Sequence, residues 1–282
     1  MRIERLPSYL SPSSLMQAEN MPNTFYLTRL IADRMEREPQ GLAAAVGSAF
    51  DYYIKMLLFE KKFGHKELKL LELKKGIETN IEEAFRAGKS AFRTYKESAF
   101  NLEEYYDVEL SLQKDIEGVP LLGKLDASCK DIRSNDAYKK VIPFDWKTTG
   151  YASKSTTSPP KGYYRKWMGI MPKPSHKLFE PEIPFELINK KWSVQMCTYG
   201  WLMGYEVGEP FYGRIDVLIW NKGVVNQVTQ YRGLITPEYQ RLLIERYKKV
   251  WNDLTTSNFL NRLGSKTDED LVWIASRDES WF

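Results

Sequence analysis

Cysteine is nearly missing: Cys129 and Cys197 are the only two among 282 residues. That excludes a disulfide framework and any four-cysteine metal or iron–sulfur site. No run approaches the roughly 18 consecutive apolar residues a membrane span needs. The first residues also lack the continuous apolar core of a signal peptide. Neither internal repeats nor low-complexity tracts occur. Charge of either sign is not in strong excess, since 41 Lys and Arg face 37 Asp and Glu for a net +4. Such a balance permits a polyanionic partner without demanding one. The expectation is a reduced, intracellular, cytoplasmic protein with no membrane partner.

Aromatic residues, by contrast, are abundant: they make up 13%, with 8 Trp and 17 Tyr. With 43% hydrophobic residues the chain can bury one sizeable core,. The stretch Val141-Ile142-Pro143-Phe144-Asp145-Trp146-Lys147-Thr148 reads as a strand. Alternation would put Asp145 and Lys147 on one face and Ile142, Phe144 and Trp146 on the other, in a core. Pro143 counts against a regular central strand. Leu122-Gly123-Lys124-Leu125-Asp126 ends another strand with a second acid. Two convergent carboxylates are a minimal protein ligand set for Mg²⁺. An amine beside them suits metal-assisted hydrolysis of phosphodiesters; an edge-strand salt bridge is the plain alternative.

Around these lies a regular order of elements. Residues 8–33 read as helix, opened by Ser11-Pro12-Ser13-Ser14,. Residues 42–63 form a helix through Val46, Phe50, Tyr53, Leu57 and Leu58, with Gly47 and Asp51 beside the apolar face,. A mid-helix glycine costs about 1 kcal/mol and suggests close packing or room for a ligand. Asp51 is either a solvated boundary residue or a group aimed into a cleft. Residues 66–99 read as one or two helices burying Leu70, Leu73, Ile77, Ile81, Phe85, Phe92 and Tyr95.

From Tyr106 the period changes to two. Strands near 106–112, 121–129 and up to Lys147 make an antiparallel meander, which places Glu109, Asp126 and Asp145 on neighbouring strands,. Residues 151–179 hold six basic residues and no acid, interleaved with aromatics. Lys154, Lys161, Tyr164, Arg165, Lys166 and Trp167 are there the candidates for binding single-stranded nucleic acid, by phosphate pairing and base stacking. A solvated insertion is the equal alternative. A helix from about Lys191 to Tyr205 carries Gln195 and Tyr199 on one face. A hairpin follows over 211–233, then a final helix capped by Thr236-Pro237 and carrying Leu242, Leu243, Tyr247, Val250, Trp251 and Leu254,.

In order, Ser11-Pro12-Ser13-Ser14, Gly47 to Asp51, Gly123-Lys124-Leu125-Asp126, Asp145-Trp146-Lys147-Thr148 and Gln195-Met196-Cys197-Thr198-Tyr199 resemble the PD-(D/E)XK nuclease superfamily, within it the RecB-type and phage exonuclease group. The resemblance spans roughly residues 8–255. It implies an α/β (mixed α+β) fold: a restriction-endonuclease-like core whose central mixed sheet is flanked by helices. One domain would fill 1–282, with a helical part to residue 100, a sheet core over 101–255 and a tail over 256–282.

It further implies Asp126 and Asp145 as metal ligands and Lys147 as the group that positions water and steadies phosphate charge. Gln195 and Tyr199 would line the substrate side. Many relatives carry a ligating histidine where Asp51 stands, and aspartate could serve a hard cation there. Glu109 is a further carboxylate candidate. Some relatives place an iron–sulfur cysteine where Met21 stands, so no such cluster is expected here. The implied function is Mg²⁺- or Mn²⁺-dependent hydrolysis of DNA, as an exonuclease in recombination, repair or phage replication in a bacterial or phage-infected cell. A homo-oligomer or a recombination partner protein is possible. The competing expectations are a structure-selective endonuclease and an inactive nuclease-fold protein that only binds DNA.

Overall fold

The computed structural model describes residues 2–32, 41–63, 81–131, 141–150, 163–166, 169–172, 184–221, 224–264, 267 and 270. The opening segment forms two helices rather than one, α1 (Pro12–Asn20) and α2 (Pro22–Arg29). Ser11 caps α1 reciprocally: its Oγ accepts from the Ser14 amide while Ser14 Oγ accepts from the Ser11 amide,. Pro22 supplies no amide and disfavours helical backbone at the residue before it. Met21 accordingly leaves the helix, at φ −138°,.

Helix α3 (Leu42–Leu58) runs on into a π-helical turn, Phe59–Phe63. Ala45, Val46, Ala49, Phe50, Ile54 and Leu58 are its buried side. The segment Leu42–Lys62 is apolar enough on average to cross a membrane, which the search for unbroken apolar runs overlooked. Here it packs inside the domain. Against it lies α4 (Ile81–Ser98), which buries Ala84, Ala87, Ala91 and Tyr95. Ile81, expected on the buried side, is 51% exposed; it lies one turn before the alanine seam begins. Leu70, Leu73 and Ile77 lie outside the described residues.

Strands β1 (Tyr105–Ile116), β2 (Val119–Lys130) and β3 (Val141–Gly150) form the expected antiparallel meander. The β1–β2 turn has Glu117 and Gly118 at φ 52° and 84°, the two positive values that a type I′ hairpin needs. Beyond β3, β4 (Tyr163–Lys166) and β5 (Gly169–Pro172) make a separate two-stranded sheet. The chain returns through α5 (Phe185–Ile188) and α6 (Lys190–Leu202) to β6 (Phe211–Asn221), which pairs parallel with β3. Strand β7 (Val224–Ile235) completes the order β1-β2-β3-β6-β7. Pro143 fits because pairing with β6 begins only at Phe144, so the missing amide precedes the stretch bonded on that side.

Helix α7 (Pro237–Thr255) starts at Thr236, whose side chain accepts from the Tyr239 amide. Leu242 is 69% exposed, whereas its neighbour Leu243 is buried and belongs to the core face. The sheet lies between two helical layers. Residues of α1, α2, α6 and α7 share one hydrophobic cluster with the sheet. Those of α3 and α4 share others, with Phe144 and Trp146 of β3 in the larger.

Candidate active site

Three strands and two helices bring the site together. Asp145 and Lys147 share one face of β3, and Lys147 Nζ donates to Asp145 Oδ2 at 2.5 Å. The intervening Trp146 packs against Phe50, Tyr105 and Phe144 on the other face. Asp126 arrives on β2. Glu109 lies on β1 between Val108 and Leu110, which pair with Ala127 and Leu125. Its φ is +54°, a left-handed value that a non-glycine residue adopts at a cost of order 1 kcal/mol. Asp51 and Lys55 stand one turn apart on α3, hence on one side of it.

Lys55 is the residue that sequence reasoning missed, and it sits at the centre. It is 1% exposed. Its ammonium donates to Asp51 Oδ2 at 2.5 Å, to Asp126 Oδ1 at 2.8 Å, and to Glu109 Oε1. A signal was available: Lys55 lies in the apolar run Ile54 to Leu58, one turn after the acid already singled out. Oxygens of Asp51, Glu109 and Asp126 lie within 4.8 Å of one another. Glu109, expected as a lesser candidate, is thus a full member of this group.

The second half of the site comes from α6. Gln195 Nε2 donates to Asp145 Oδ2 at 2.5 Å and to the Tyr199 hydroxyl at 2.9 Å. The Tyr199 hydroxyl in turn donates to the Lys124 carbonyl at 2.6 Å. This contact needs α6 to lie close on β2, and Gly123 allows it. A Cβ there would stand 2.6 Å from Leu202 Cδ1 and 2.9 Å from the Tyr199 ring. Gly47 does the same for α3, since its Cβ would lie 2.7 Å from Thr148 Oγ1. A cleft of about 280 Å³ opens between α3 and β3, lined by Gly47, Ser48, Asp51, Asp126, Lys147 and Thr148. Asp51 therefore faces a cleft.

Electrostatics separates the acids. Burial raises Asp145 well above the carboxylate range, with Asp126 adding to the shift and Lys147 opposing it. Burial also raises Asp51, to about 8, helped by Asp126 and opposed by Lys55. Burial alone would raise Asp126 too, but the charge and hydrogen bond of Lys55 and the charge of Lys147 outweigh it and hold Asp126 low. The Lys55 ammonium is desolvated, yet Asp126, Asp51 and Glu109 together keep it charged. Burial pushes the Tyr199 phenol up, as do the charges of Asp145 and Asp126.

The donor set fits a hard divalent cation. It consists of carboxylate oxygens with no competing soft ligand. Asp145 is fully buried, yet its Oδ1 has no hydrogen-bond partner; buried orphans of this kind are expected where an ion binds. Asp126, Asp145, Lys147, Gln195, Tyr199, Asp51 and Glu109 are thus brought together. Of the expected nucleic-acid contacts, Tyr164, Arg165 and Lys166 fall on β4, where only the backbone is described, and Lys154, Lys161 and Trp167 lie outside the described residues.

No protein-family model matches the chain, and no curated protein matches it in sequence. Among solved structures, a candidate exonuclease from Eubacterium rectale is similar over 87% of this chain and 82% of its own, at 16% identity and a TM-score of 0.50. That likeness is one of fold. A second solved protein, SSO0001, aligns over 84% of this chain and 82% of its own at 12% identity, with a TM-score of 0.28 that carries no weight.

Proposed function

We propose that the chain is a metal-dependent nuclease that hydrolyses DNA phosphodiesters, as an exonuclease of the PD-(D/E)XK type. The observation that carries this reading is a cleft lined by Asp126 and Lys147, with Asp145, Gln195 and Tyr199 hydrogen-bonded in a chain behind Lys147. The fold shared with the Eubacterium rectale protein supports it.

Asp126 and Asp145 would hold a Mg²⁺ or Mn²⁺ ion. When bound, that ion would supply Lewis-acid charge beside the scissile phosphate. Lys147 is 31% exposed at the side chain while its partner Asp145 is fully buried. Asp145 therefore aims the ammonium toward the cleft, where it can donate to water or to a phosphate oxygen as charge builds up. Gln195 fixes the Asp145 carboxylate from the far side, and Tyr199 fixes Gln195 and the β2 backbone. The basic aromatic stretch 151–179 would hold the strand leading to the cleft. A role in recombination, repair or phage replication would follow from such an activity.

The test compares linear and covalently closed circular DNA under Mg²⁺ and Mn²⁺, with Lys147→Ala alongside. Loss of linear DNA alone, abolished in the variant, supports the exonuclease. Cutting of circles makes it an endonuclease on the same site. Binding without cleavage under either metal refutes the enzyme.

A further inference from the structure

Lys55 has no part in the chemistry just described, yet its ammonium is buried among three acids of the site. We propose that Lys55 is a resident cation that fills one of two cation positions in the cleft, so that the chain takes up a single divalent ion, on Asp126 and Asp145. This rests on the metal-dependent reading above and specifies its stoichiometry.

Three observations lead there. First, the Lys55 ammonium already occupies the space among Asp51, Glu109 and Asp126, the group whose oxygens converge within 4.8 Å. A metal entering that space would have to displace it. Lys55 has nowhere to go: its side chain is 2% exposed, and withdrawal would leave an ammonium buried without its acids, a far worse state than the present one.

Second, formal charge agrees at a pH where all four acids are ionised. Among the described residues, the carboxylates of Asp51, Glu109, Asp126 and Asp145 then face the two ammonium groups of Lys55 and Lys147. The surplus is two negative charges, which one divalent ion balances and two would overshoot. Third, two buried oxygens of the site lack a hydrogen-bond partner, Oδ1 of Asp145 and Oδ1 of Asp51. The Asp51 carboxylate and Asp126 Oδ1 already meet the Lys55 ammonium, so the pair left for an incoming ion is Asp126 and Asp145.

The experiment titrates the full chain with Mn²⁺ alone, read by calorimetry and by electron paramagnetic resonance of free Mn²⁺, with no activity assay. Wild type should bind one ion, and Asp145→Asn should lose it. Lys55→Met should bind two, because three carboxylates are released to form a second site, and its melting temperature should rise more steeply with Mn²⁺ than that of wild type. Glu109→Gln, which keeps Lys55 in place, should still bind one ion, with affinity lowered by less than about tenfold. Two ions on wild type would overturn the proposal. So would a single ion on Lys55→Met at unchanged affinity, or abolished binding in Glu109→Gln, which would make Glu109 a ligand in its own right. No Mn²⁺ on wild type at all would instead sink the metal-dependent reading, and the inference with it.

Discussion

Gly123→Ala tests whether the site is held by the seating of α6 on β2. The added Cβ would stand 2.6 Å from Leu202 Cδ1 and 2.9 and 3.0 Å from two Tyr199 ring atoms. Both neighbours are nearly buried, at 7% and 6% exposure, so neither can swing into solvent. Forcing a methyl group into filled space costs about 1–3 kcal/mol. That cost corresponds to a drop of roughly 2–12 °C in melting temperature at about 2–4 °C per kcal/mol.

The larger effect should be functional. Tyr199 holds Gln195, and Gln195 holds Asp145, so a shift of a few tenths of an ångström passes directly to the proposed metal ligand. Misplacement approaching 1 Å costs about 100-fold in rate. Urea unfolding and cleavage of linear DNA would be measured together. Gly118→Ala is the control: its φ of +84° makes alanine strained at a cost of about 1–2 kcal/mol, but the space beside it is open,. The control should lose similar stability and no activity. An unchanged melting temperature in Gly123→Ala would refute the packing argument. Equal cleavage by the two variants would remove Tyr199 from the site.

Two further outcomes follow from the core. Asp216 is fully buried, accepts from Nε and Nη2 of Arg214 at 2.9 Å each, and takes the Tyr95 hydroxyl at 2.6 Å. Asp216→Asn should destabilise the chain by about 3 kcal/mol in denaturant titration, the lower end of the range because Glu104 also pairs with Arg214; a loss under about 1 kcal/mol would show the pair to be dispensable. Burial raises the Tyr95, Tyr105 and Tyr247 phenols above their ordinary value of 10.0. The unfolded chain therefore releases these protons first as pH rises, so the stability they contribute is whole below pH 10 and declines above it. Phenolate absorbance should appear together with loss of structure; gradual ionisation before unfolding would contradict it.

Periodicity and punctuation in the sequence determined much of this molecule. Alternation across 141–148 put Asp145 and Lys147 on one face because a strand leaves no other choice. Helical spacing placed Gln195 beside Tyr199, and Thr236-Pro237 and Ser11-Pro12 marked helix starts by local hydrogen bonding,. Ile81 is exposed against expectation because an apolar side chain at an approximate spacing carries no record of whether anything covers it. Which helix would lie over the acids was not legible either. Asp51 stayed undecided, and Lys55 went unnoticed, because both depend on α3 crossing β1 and β2 at one height. The charge of Lys55 in an apolar run looks like a defect until three carboxylates from other elements surround it. Glu109 needed a backbone twist that no side-chain pattern announces. Local sequence settles what each element is and which way its residues point; the balance of charge in the site exists only where separate elements meet, and the tertiary fold alone decides it.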